Sequence, residues 1–188
     1  MNGRNPSRWL AIAAATLAIA AAAPAIHAYS VDAQLKGVAR SFEGRFRRAY
    51  SIAVRSGVYT AIRFEPGPDG ISYSLYSDGN YNGVVSADID RGIDQRLEGP
   101  YRLTSGAPDV RVAISPGTPA IPPDSGLLGV ADPIRFGRSD ILSFSPLGTA
   151  TPGTFYLAGD FAQAAVRVTG GSARVRLMVW RGGKWIER

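Results

Sequence analysis

The densest group of side chains with ligand chemistry is Asp78-Gly79-Asn80-Tyr81-Asn82-Gly83-Val84, with Asp88 close behind. Asp78, Asn80 and Asn82 stand at alternate positions ahead of a glycine, the spacing with which calcium loops gather oxygens around a tight turn; Val84 would add a backbone carbonyl and Asp88 a carboxylate. The twelfth position, where such loops place a bidentate carboxylate, holds Ile89, and Asp88 comes one residue early. Two of the ligands are neutral amides, so any calcium affinity is expected to be weak. The same residues also form metal-free turns, because Asx side chains bond the backbone just ahead of them. Asp94 can join either network.

Little else in the chain carries chemistry. There is no cysteine, which excludes disulfides, thiolate metal sites and cysteine nucleophiles. The one histidine, His27, ends an apolar run, and a Ser-His-Asp arrangement is excluded with it. Asp132, Asp140 and Asp160 are separated carboxylates with no pairing motif, and neither GPDG nor GLLG has the lysine or helix that a phosphate loop needs. The chain is therefore read as a non-enzyme without a small-molecule substrate. Trp180 and Trp185, with Tyr73, Tyr76, Tyr81, Tyr101 and Tyr156, admit a stacking surface for sugar or single-stranded DNA, but alternating aromatics on strands ordinarily fill a core or its rim. The net charge of +6 is spread widely. Its nearest approach to a patch, Arg40, Arg45, Arg47, Arg48 and Arg55, reads as the wet side of a helix, and no nucleic-acid partner is expected.

The elements that position these residues begin with an uncharged run, 9–28, preceded by Arg4 and Arg8. Its length suits a transmembrane helix with the N-terminus in the cytoplasm, and residues 1–8 would be a cytoplasmic leader. Small residues also admit a cleavable secretory signal, cut after Ala25 or Ala28. The run continues in helical phase through an amphipathic stripe of Leu35, Ala39, Phe42, Phe46, Ala49 and Ala53 over residues 29–57, bent at Pro24 and stopped at Gly57. Residues 58–188 are β-rich. A hairpin is predicted from 58–65 and 71–77 around GPDG, then a long loop over 78–100, a weaker strand signal over 101–114 and an irregular connection over 115–129. Strands follow at 140–146, 153–158, 164–169 and 173–180. With 188 residues, this makes one α+β domain: a long N-terminal helix packed on antiparallel sheet.

Taken in order, Pro24, RSFEGRFRRAYSIAVRSG (40–57), SFSPLGTATPGTFYL (143–157), AVRV (165–168) and GSARVRLMVWRGGKW (171–185) resemble the H-type minor pseudopilins of type II secretion and the minor pilins of type IV pili. The resemblance implies a pilin-like fold and a structural subunit of the inner membrane with a periplasmic or extracellular domain. Its partners would be other pilin-like subunits, met through the N-terminal helix. Family precursors are cleaved at a glycine, which points to Gly3, and carry a glutamate five residues into the mature helix. This chain has Arg8 or Ser7 there and no glutamate before Glu43.

Overall fold

The computed structural model describes residues 6–188 apart from 69, 105 and 161, with side chains described from Pro24 onward. Helix α1 runs unbroken from Pro6 to Ser56 and passes through Pro24, so the bend expected there does not end it. At 51 residues it is about 76 Å long. Gly57 stops it with φ of +73°, a left-handed conformation that disfavours side chains, while its N–H donates to the Ala53 carbonyl. Among the described residues no helix is long and apolar enough to cross a membrane. Most side chains of the 9–28 run lie outside the described ones, as does Gly3.

Among the described residues nine strands follow: β1 (Thr60–Gly67), β2 (Gly70–Ser77), β3 (Gln95–Arg102), β4 (Ile134–Arg135), β5 (Ile141–Phe144), β6 (Gly153–Ala158), β7 (Gln163–Val168), β8 (Val175–Arg181) and β9 (Lys184–Glu187), with a short helix α2 (Ser86–Asp90) before β3. They form two antiparallel sheets, ordered β3-β2-β1-β5 and β4-β6-β7-β8-β9, called A and B below. The predicted hairpin is β1–β2, paired from Thr60↔Ser77 to Gly67↔Gly70. Two readings need correction. The segment 78–100 is not all loop, since it holds α2 and most of β3, and among the described residues no strand occupies 103–114. Strand β3 escaped notice because QRLEGPYR lies at a sheet edge with its residues exposed or half-buried, so it shows no apolar alternation.

The stripe Leu35, Ala39, Phe42, Phe46, Ala49 and Ala53, extended by Val31, is fully buried against both sheets. Phe46 sits where helix and sheets meet: its ring lies 5.8–6.4 Å from Phe42, Phe64, Phe136 and Phe155. Phe64 of sheet A stacks on Phe155 of sheet B at 5.5 Å, closing the joint. Thr60 fastens β1 to the helix by donating to the Ala49 carbonyl at 2.7 Å. Asp32 holds the helix to the end of β8 through Arg181, 2.9 Å away, and pairs along the helix with Lys36. N-terminal to Val31 the domain gives the helix almost no cover: Ile26 is 66% and Tyr29 76% exposed, and Pro24, Ala25 and His27 are exposed too.

The far side of sheet B is covered by the proline-rich connection, which crosses it as a strap. Ile114, Ile121 and Leu128 pack on Tyr156, Ala165 and Met178 as a second small core. Polar pins hold the strap where no ladder can. Gln163 accepts from Ser115 N–H and donates to the carbonyls of Ala113 and Leu157, and Trp185 donates to the Pro119 carbonyl at 2.9 Å.

Candidate functional site

Of the residues singled out for calcium, the loop after β2 brings together Asp78, Asn80, Asn82 and Asp88 and adds Asp94, whereas Val84 packs with Ala61, Tyr76 and Ile141. Glycine is required at 79, since a Cβ there would stand 2.0 Å from the Ile93 carbonyl oxygen. That close approach folds the chain back so that Asp78, Asp88 and Asp94, only 6%, 6% and 2% exposed, face one cluster of donors. Asp78 accepts from the backbone N–H groups of Asn80, Tyr81 and Gly83 at 2.8–3.0 Å. Asp94 accepts from Gly79 and Val85 N–H, both at 3.1 Å. Asp88 Oδ2 accepts the side-chain amides of Asn80 and Asn82 at 3.0 and 2.8 Å.

This donor set does not fit calcium, which demands converging oxygens. The amides of Asn80 and Asn82 turn their N–H groups inward, and the carboxylates accept from nitrogen donors. Among the described residues no three His, Cys, Asp or Glu side chains form a group able to hold a metal. The carboxylates act instead as hubs for buried N–H groups, which would be costly to leave unpaired.

The bonds from Asn82 and Asn80 hold the Asp88 carboxyl below its ordinary value of 3.8, outweighing desolvation, with Arg91 adding attraction. A carboxyl depressed in the folded state contributes stability that is complete above the unfolded value and is lost as pH falls through the lower folded one. Melting followed by circular dichroism should therefore show the loop's contribution draining away below about pH 4, and an Asp88→Asn variant should lose that part of the acid dependence. Asp140 opposes it. Burial and the neighbouring Asp132 raise its carboxyl above 3.8, so its ionisation counts against the fold as pH rises.

The other residues noted in the sequence do not assemble into a reactive centre. His27 is exposed on α1, and Asp160 pairs with Arg111 at 3.0 Å. Tyr73, Tyr76 and Tyr156 are buried, while Tyr81 and Tyr101 are exposed. Arg45 lies over the rings of Tyr73 and Tyr101 at 5.2 and 5.9 Å, so those faces are occupied. Trp180 and Trp185 are partners across β8–β9, 5.7 Å apart. Ala25 and Ala28 lie on the uncovered stretch of α1. Sequence reading passed over Gln163 and Arg135. A polar residue opening an apolar strand, as Gln163 opens β7, is the signal that marks the first; β4 is too short to leave one for the second. No family model, curated protein or solved structure matches the chain.

Proposed function

We propose that the chain is a pilin-like structural subunit, a minor pseudopilin or minor pilin, held in the inner membrane and joined to other pilin-like subunits through its N-terminal helix. One observation carries the reading: among the described side chains, α1 is buried against the sheets from Val31 onward, while residues 24–30 are left largely uncovered, in line with the uncharged run at 9–28. An apolar helix in water is stabilised mainly by tertiary packing of its apolar side. The domain supplies little such packing to residues 24–30, so lipid or another subunit must. The stripe from Leu35 to Ala53 is buried within the chain, so in this reading contact between subunits falls to the part of α1 that precedes Val31.

A second reading has its own support. The first buried residue among the described ones is Val31, past both candidate cuts, so cleavage after Ala25 or Ala28 would remove no described core residue and would release the β-rich domain as a binding module. Fractionation of the native host, with intact mass and N-terminal sequencing of the recovered chain, separates the two. A membrane-bound chain retaining residues 9–28 is expected. A soluble chain beginning at Ile26 or Tyr29 would overturn the pilin-like reading and establish the secreted module.

A further inference from the structure

The strap side of sheet B carries a row of arginines that the core does not require. Strand register sets Arg135 on β4 opposite Thr154 on β6, Thr154 opposite Arg167 on β7, and Arg167 opposite Arg176 on β8. Residues paired across strands share a face. Their chain neighbours Ile134, Phe155, Val166 and Leu177 are in the main core, so the row lies on the opposite side, toward the strap. With strands about 4.8 Å apart, it spans roughly 14 Å. Together these residues line a 660 Å³ groove between sheet and strap, in which Asp124 is the one acidic lining residue among the described residues.

The charges of the row are incompletely balanced. Arg135 donates to the carbonyls of Asp132 and Gly129 and lies 5.5 Å over the Tyr156 ring, which fixes its guanidinium, yet it pairs with no carboxylate among the described residues. Arg167 donates to the Ile121 carbonyl and to Asp124, each at 3.0 Å. Among the described residues Arg176 reaches one carboxylate, Glu187 at 3.7 Å, which also takes Arg174 at 3.0 Å. Its Nε is buried and has no hydrogen-bond partner among them. Like charges directly opposite on neighbouring strands repel, and an unpaired buried N–H adds to the cost. An anion in the groove relieves both.

We propose that this groove binds a small multivalent oxyanion, a phosphate or polycarboxylate group, seated over Thr154 between Arg135 and Arg167 and reached by Arg176. Fixed guanidiniums suit such a group because their planar forks match its oxygens two at a time. Leu127, 73% exposed and lining the same groove, offers an apolar edge for an organic body. The site does not depend on the pilin-like reading, since it lies wholly within the β-rich domain.

The test is thermal melting of the full chain in a non-ionic detergent, titrated with sodium phosphate and separately with citrate while sodium chloride holds ionic strength constant. The melting temperature is expected to rise in a saturable way with at least one of them. A response to phosphate alone assigns a phosphoryl group, and one to citrate alone a carboxylate. Arg176→Gln should bind about ten-fold more weakly, Arg176→Lys should recover part of the loss, and Arg40→Gln, on the exposed helix face, should match the wild type. If Arg176→Gln does not fold, Thr154→Val reads the same weakening. No saturable rise with either anion, or an equal rise in wild type and groove variants, overturns the proposal.

Discussion

Phe46→Ala is expected to lower stability by about 3–5 kcal/mol, the largest loss any single truncation on α1 should produce. Phe46 is fully buried and meets four other aromatic rings from the helix and both sheets. Its removal leaves a cavity that no one element can collapse to fill, because the surrounding rings belong to three separately anchored layers. The edge-on contacts add to the loss, since aromatic pairs contribute about 0.5–1.5 kcal/mol beyond the area they bury. Chemical denaturation followed by tryptophan fluorescence reads the change. Phe46→Leu, which keeps most of the volume, should recover over half of it. A loss below about 1 kcal/mol for Phe46→Ala would mean that the helix is not docked on the sheets as described.

Asp78→Ala should be the most damaging change in the loop, costing about 2–4 kcal/mol. Its carboxylate satisfies three backbone N–H groups at once, and alanine leaves all three to find water in a shielded pocket. Asp78→Asn separates hydrogen bonding from charge. The amide oxygen can still accept, so its cost should be about half or less. Melting of the wild type with millimolar calcium should leave the midpoint unchanged, because the loop's oxygens are already engaged by N–H donors. A clear rise abolished by Asp78→Ala would show that the Asn80 and Asn82 amides turn their oxygens inward to a cation, and would restore the metal site suggested by spacing alone.

The contrast between these two predictions shows what each level of description supplies. The stripe on α1 was legible because a helix repeats its faces every three to four residues, and the spacing of Leu35, Ala39, Phe42, Phe46, Ala49 and Ala53 follows that repeat. Strands β6 and β7 were legible by a different signal, as apolar runs bounded by glycine and polar residues. In the aspartate loop, spacing placed the right residues together but could not orient them. Asx side chains and calcium ligands share one vocabulary of Asp, Asn and Gly, and only the closure of Gly79 onto Ile93 determines that the carboxylates meet N–H groups.

The sequence by itself determined the long helix, its buried face, its stop at Gly57 and most strands of an α+β domain, because each is written in local periodicity or in glycine's access to positive φ. Tertiary structure alone decided that the strands divide into two sheets wrapped on one helix, that β3 is an edge, and that the proline-rich stretch is a strap pinned by Gln163 and Trp185. It also decided that Arg135, Arg167 and Arg176, up to 41 residues apart, stand in one row. Strand register between distant segments is set by which faces must be buried together, and no window along the chain contains that information.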